Sequence, residues 1–388
     1  MNKLKNIGIS ALAGTLVSLS AAQAGGVSVS GVYELSYTQL DHEKVSGNKL
    51  GIKKNISFGA GGDLSDGGGV TWSTNIGWTD GADLSSASFA INMGGIATLT
   101  YDSGGGGTGA NAVDNIIPTA WEEVDYGFST GISDVGAVSA SKGVINLTVK
   151  APVAGTGFSL SYASRMGSDH IADGSVGGSA ISPGYKGVDL VLDFVNYEAA
   201  HAGIRFGMAA QIELPEETCK SLQGDRATWS DFNSCGDGHK NEPYAGTSYL
   251  KLQLGPLHIG TQATFKSPEI NKASAVKNMR VIQGGAALVF GDTLSVSYGI
   301  AKDKYRYNNR NRGYTVSAST STCDASESYC AGGEDFEYST NKFRGWSAAL
   351  NLGPVALKGT HNHAKSGDYL GAYVNDTTHS ELNLSIAF

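Results

Sequence analysis

No stretch of this chain is long and apolar enough to cross a bilayer as a helix. The longest apolar run, Ile7 to Leu19, has 13 residues, against the ~20 that a spanning helix needs. Proline is scarce at 8 of 388 residues, while glycine reaches 54. The glycines cluster between alternating segments, which is turn chemistry. Basic residues are outnumbered, for a formal net charge of -8, and that excess argues against nucleic acid as a partner. Cysteine is limited to four residues, and no composition shift or linker divides the chain. Mean hydropathy is slightly negative, but this excludes less than it suggests, because alternating strands average to neutral.

The first segment reads as a secretory signal. Lys3 and Lys5 precede the apolar run, and Ala22-Gln23-Ala24 is a small-x-small cleavage site, so residues 1–24 are expected to be removed. The mature chain then carries 26 basic and 36 acidic residues, net -10. Residues 25–388 are expected to form a single domain.

That domain is dominated by period-two alternation, which puts one set of side chains on each face of a sheet. Near the C-terminus Leu382, Leu384, Ile386 and Phe388 share one parity, against His379, Glu381, Asn383 and Ser385. Similar runs recur from Tyr33-Leu35-Tyr37 onward, through Ile145-Leu147-Val149, Val188-Leu190-Leu192 and Leu294-Val296-Tyr298, about sixteen in all. Short turns, such as Gly255-Pro256 and Gly353-Pro354, alternate with longer loops near 40–52, 80–86, 103–142, 166–184, 214–245, 267–277, 308–340 and 366–377. Strands greased on one face and wet on the other, joined by turns that alternate short and long, suit a closed barrel between lipid and a water-filled lumen. The expected fold is an all-β, antiparallel up-and-down transmembrane barrel of sixteen strands.

With its signal segment, sixteen alternating strands, terminal Phe388 and long third loop, the mature chain resembles the general (diffusion) porins of the Gram-negative outer membrane. The resemblance implies a homotrimer in outer-membrane lipid that passes ions and small hydrophilic solutes, with no cofactor and no metal. It also implies a third loop folded into the lumen, with Asp114, Glu122, Glu123 and Asp125 near the constriction around Trp121. Phe388 would then help the barrel-assembly machinery recognise the last strand. The chain departs from the family in one respect: its first four strands carry no arginine to face that loop, only Lys53 and Lys54. Lumen-parity acids are Glu34, Asp102, Asp189, Asp193 and Glu381. Lumen-parity bases are Lys150, Arg165, Arg205, Lys251, Lys266 and Lys358. These hydrate a water-filled interior, and rings of such charges tune ion selection. Net charge and the third loop together predict a modest preference for cations.

The cysteines form two local pairs, Cys219 with Cys235 and Cys323 with Cys330. In an oxidising compartment these are expected to be disulfides within the fifth and seventh loops. Asp324, Glu327, Glu334 and Asp335 make the seventh loop acidic, in a spacing unlike an EF-hand. No nucleophile-base arrangement stands out, so no enzymatic activity is expected. The other readings are an outer-membrane barrel enzyme of lipase or protease type, and a surface adhesin with a plugged lumen.

Overall fold

The computed structural model describes residues 26–40, 48–64, 69–80, 84–103, 107–128, 135–150, 155–164, 186–199, 202–214, 243–267, 276–307, 338–366 and 377–388. The signal segment, Arg165, all four cysteines and the acidic stretch of the seventh loop lie outside the described residues.

Sixteen strands form one closed sheet: β1 (Ser28–Leu40), β2 (Leu50–Asp63), β3 (Val70–Thr79), β4 (Leu84–Met93), β5 (Ala97–Ser103), β6 (Lys142–Lys150), β7 (Gly157–Ala163), β8 (Lys186–Glu198), β9 (Ala202–Leu214), β10 (Tyr244–Leu254), β11 (Leu257–Ser267), β12 (Val276–Phe290), β13 (Leu294–Tyr307), β14 (Tyr338–Leu352), β15 (Val355–Ser366) and β16 (Thr377–Ala387). Each strand pairs antiparallel with its neighbours in the chain, and β16 pairs back with β1 from Val32↔Ala387 to Leu40↔His379. Closure removes every sheet edge, as a spanning sheet requires.

The sheet is inside out relative to a water-soluble barrel. On β1, Tyr33, Leu35 and Tyr37 are 44%, 51% and 45% exposed, whereas the buried side chains elsewhere include Asn146, Ser161, Gln262 and Asp303. An apolar exterior around a polar interior is the arrangement for lipid outside and water inside. The sequence expectation of sixteen alternating strands matches this wall. One loop differs. The connection expected near 80–86 contracts to 80–83, because β4 already begins at Leu84.

The seam is completed by backbone pairing between Gly31 and Phe388, with N···O distances of 2.9 Å and 3.0 Å in the two directions. The Phe388 ring lies over Gly31, in the space that a Cβ at that position would need. The ring itself is 62% exposed on the outer face. Phe388→Ser should therefore lower the yield of folded, heat-resistant barrel in the membrane. Molecules that do insert should conduct normally, because the ring is remote from the lumen. An unchanged insertion yield, measured by gel mobility of unheated membranes, would contradict this role.

Candidate pore constriction

The connection between β5 and β6 does not rise away from the barrel. Among the described residues, its two arms, 107–128 and 135–141, meet every strand from β6 to β16 along the inner wall. Close to β6 and β7, Val138 packs on Val144 and Ala163. Next, Ala110, Val113, Ile116 and Val135 pack against Val191, Ala209, Ala245 and Tyr249 of β8–β10. Farther on, Val124 and Phe128 join Met279, Val281, Ala301 and Phe343. These wall residues are apolar at lumen parity, so the loop covers surface that would otherwise face water.

Polar bolts hold the loop at intervals. The Ala110 amide donates to Asp189 Oδ1 at 3.2 Å, and the Gly136 amide to Gln211 Oε1 at 2.8 Å. Gln262 is the most heavily used wall residue. Its Oε1 accepts from the Ile116 amide at 3.0 Å, and its Nε2 donates to the carbonyls of Val113 and Asp114 at 2.9 Å and 2.8 Å. Ser297 and Ser347 accept from the amides of Ala120 and Trp121, and Asn362 Nδ2 donates to the carbonyls of Glu123 and Tyr126. A side-chain amide offers two donors and an acceptor, which suits it to loop backbone that has no partner strand.

Between these bolts the wall is cut away. Gly260, Gly285, Gly299 and Gly345 pair directly across β11–β14 in one register row, on the lumen face. A Cβ on Gly260 would run into Pro118, one on Gly285 would sit 2.7 Å from Ile117 Cγ2, and one on Gly299 3.2 Å from Val124 Cβ. The row is a groove in which side chains of the loop rest on bare backbone of the wall. The space left between loop and wall here is about 10 Å³, room for roughly one water molecule. Nothing larger than water fits between loop and wall at this row.

Charge collects where the loop reaches β15, β16 and β1. Trp121 and Tyr126 stack loosely, with centroids 6.3 Å apart, and Tyr126 stands edge-on to His379 at 5.4 Å. Lys358 Nζ lies 5.8 Å from the Trp121 ring centre and 3.4 Å from Glu34 Oε1. Tyr126 and Thr38 donate hydrogen bonds to Glu381. Glu122 shares this corner with Glu381, Glu123, Lys53 and Lys358. Burial, followed by repulsion from Glu381 and Glu123, pushes the Glu122 carboxyl up to about 7, against the opposing pull of Lys53 and Lys358. Burial and Asp125 raise Glu123 as well.

A carboxyl poised near neutrality makes the corner pH-sensitive. Between about pH 6 and pH 8 Glu122 goes from mostly neutral to mostly ionised, so cation preference should grow across that window. Glu122→Gln should flatten the change, which reversal potentials under a salt gradient can follow. A wild type with no pH dependence there would contradict the assignment. The stability linkage has the opposite sign. The folded state holds this proton more tightly than the unfolded chain does, so stability falls as pH rises from 4.5 towards 7.

Half a circumference away, on β8–β10, Arg205 forks onto Asp193 (2.9 Å and 3.1 Å). The Tyr249 hydroxyl donates to the same carboxylate at 2.8 Å, and the guanidinium carbon lies 5.4 Å from the Tyr249 ring centre. These two charges are committed to one another. They line a cleft of about 680 Å³, together with Lys150, Asn196 and several threonines, between the wall and the loop's first arm.

The expected site residues thus separate into groups. Glu122 lies in the corner of Glu34, Glu381 and Lys358, with Glu123 next to it and Asp125 next to Glu123. Asp114 lies apart from them, its carbonyl bound by Gln262 of β11. Asp189 is spent on anchoring the loop, and Asp102 is buried. Lys251 and Lys266 have lumen parity on β10 and β11, remote in strand order from the acidic corner. Sequence reasoning missed the bolts Gln211, Gln262, Ser297, Ser347 and Asn362, and it missed the glycine row. Their signal was present as apolar and glycine residues at wet parity on β11–β14.

No protein-family model and no curated protein matches this sequence. Solved structures do match its fold. OmpT of Vibrio cholerae, an outer membrane protein folded in vitro, superposes with a TM-score of 0.59 at 7% identity, covering 95% of this chain and 99% of that one. Its trimer form gives 0.53 at 8% identity, over 95% and 100% of the two chains. OmpF of Salmonella typhi, in complex with daunomycin, gives 0.56 at 10% identity, over 94% and 98%. At these identities the likeness concerns fold alone. With its closed sheet, apolar exterior and polar lumen, the protein is an integral outer-membrane β-barrel of sixteen strands.

Proposed function

We propose that the protein is a porin, a water-filled channel through which ions and small hydrophilic solutes diffuse passively, with a modest preference for cations. The observation that carries this reading is the course of the third loop. Among the described residues, it is bolted along the inner wall from β6 to β16, and so narrows the lumen from that side. Barrels of about sixteen strands are wide enough to leave an aqueous channel. Selection then comes from the width left beside the loop and from the charged corner around Glu122, Glu381 and Lys358. No chemical step is assigned to any residue. The functional unit is a homotrimer, a form in which Vibrio cholerae OmpT has also been solved.

Swelling of liposomes that carry the purified protein tests this reading. Pentoses and hexoses should enter quickly, and the rate should fall steeply through di- and trisaccharides. Liposomes that swell no faster than protein-free ones, even in a pentose, would overturn it.

A further inference from the structure

Three features of the lumen wall converge on one carboxylate of β8. The first is a register shift between Asp193 and Val195. Strict alternation would put Asp193 and Asn196 on opposite faces. The bulge turns both to the lumen, where Asp193 pairs with Gly207 and Asn196 with Arg205 of β9. The second is Gly207 itself. A Cβ there would lie 2.5 Å from the Tyr249 hydroxyl, so bare backbone lets that hydroxyl reach across β9 to Asp193. The third is the Arg205 fork, which engages Asp193 through Nε and Nη2. The Nη1 edge of the guanidinium is turned away from that carboxylate, and the Arg205 side chain keeps 29% of its exposure. A wall that only had to be wetted would need none of this. Polar side chains locked by a supporting layer are what a recognition site requires.

The group faces the cleft of about 680 Å³ between the wall and the loop's first arm, within the ~300–1,000 Å³ usual for small-molecule sites. Lys150 and Glu198 line it at the ends of β6 and β8, which places it on the short-turn side of the loop. Its charged lining is balanced, with Lys150 and Arg205 against Asp193 and Glu198. A charged solute would meet no net attraction there and would still give up hydration on entry. A neutral solute that both donates and accepts hydrogen bonds finds partners on several sides: the guanidinium edge, the Asn196 amide and the hydroxyls of Thr100 and Thr108. The Thr108 hydroxyl is buried and, among the described residues, has no hydrogen-bond partner, which is costly unless the contents of the cleft supply one. Ala112, exposed on the loop's arm, adds an apolar surface for C–H groups.

We propose, building on the channel assigned above, that this cleft is a binding subsite for an uncharged polyhydroxylated solute of about hexose size. Its hydroxyls would accept from the Nη1 edge of Arg205 and the Asn196 amide, and donate to the Asn196 carbonyl and Glu198. Passage through a channel needs binding weak enough for release, so the affinity is on the order of millimolar. Entry of such a solute would then saturate rather than rise in proportion to its concentration.

The test uses the full mature barrel in liposomes and labelled glucose. Initial entry should level off in the millimolar range, and unlabelled sorbitol should slow it. Gluconate has the same six carbons with a carboxylate at one end, and it should compete about tenfold less well. Asn196→Ala should raise the half-saturating concentration about fivefold. Asp193→Asn should raise it further and, because two bases then face one acid, make gluconate the better competitor. Heat-resistant gel mobility reports that each variant is folded. Saturation-transfer NMR of glucose on the barrel, in a detergent without a sugar headgroup, should give the same ranking with no transport step. A barrel that binds glucose in this way but passes neither ions nor sugars would overturn the channel and leave the subsite standing. Entry proportional to concentration throughout would overturn the subsite. So would the absence of saturation transfer that sorbitol competes away, gluconate that matches sorbitol in the wild type, or unchanged half-saturation in both folded variants.

Discussion

Gly285→Leu should turn a quiet channel into a flickering one. Gly285 lies in the middle of the glycine row, and even a Cβ there would press on Ile117 at 2.7 Å. A leucine adds three more carbons in a space the loop already fills. The loop has to lift, and the amides of Ala120 and Trp121 then lose Ser297 and Ser347, 2.9 Å and 3.2 Å away in the native barrel. Overpacking of this kind costs about 1–3 kcal/mol, so the unfolding midpoint should drop as well. The neighbouring residue supplies the control. Gly284 faces outward, and a Cβ there meets nothing nearer than 3.5 Å, so Gly284→Leu should leave the current trace unaltered. A single-residue step flips the face of a strand, so the pair separates loop displacement from general damage to β12. Identical quiet traces for both variants would show that the loop is not held by this row.

Neutralising Glu122 and Glu123 together should remove most of the cation preference. Two unit charges 4 Å apart in water interact by about 1 kcal/mol, on the order of fivefold in a partition ratio, and salt screening reduces this. The ratio of cation to anion permeability should therefore fall by about two- to fivefold at pH 8, where the wild-type Glu122 is ionised. Lys358→Gln should act in the opposite direction, because it removes a base that lies 3.4 Å from Glu34 in the same corner. A reversal potential unmoved by the double neutralisation would place the selective charges elsewhere in the lumen.

The wall of this protein was legible in the sequence because its signal is local. Leu382, Leu384 and Ile386 announce a lipid-facing strand without reference to anything else in the chain. The path of the third loop was not legible, because its partners acquire meaning only through strand pairing. Gly260 and Gly299 are separated by two turns of the sheet, and nothing in either neighbourhood reveals that Gly285 stands between them. Met279, Val281 and Phe343 break the alternation at lumen parity. Taken singly, each resembles an uncertain register, and only the loop lying on them explains all three. The first residues of β14 carry no apolar signal for the converse reason. Lys342 and Arg344 occupy lipid-parity positions, so the apolar pattern begins at Trp346 although the strand begins at Tyr338. The charged corner was half legible. Glu122 and Glu123 stand out in the loop, but their wall partners Glu34, Glu381 and Lys358 come from opposite ends of the chain and meet only because β16 closes on β1.

The central claim is an open, water-filled lumen narrowed by a bolted loop. Current through planar lipid bilayers, measured after addition of the purified wild-type protein, tests it most directly. The account predicts long-lived, ohmic increments of uniform size, closing in three equal substeps at high voltage. It also predicts a reversal potential on the cation side that strengthens from pH 6 to pH 8. Bilayers that stay silent at protein levels shown to insert folded barrel would contradict it, and so would a conductance with a fixed preference for anions.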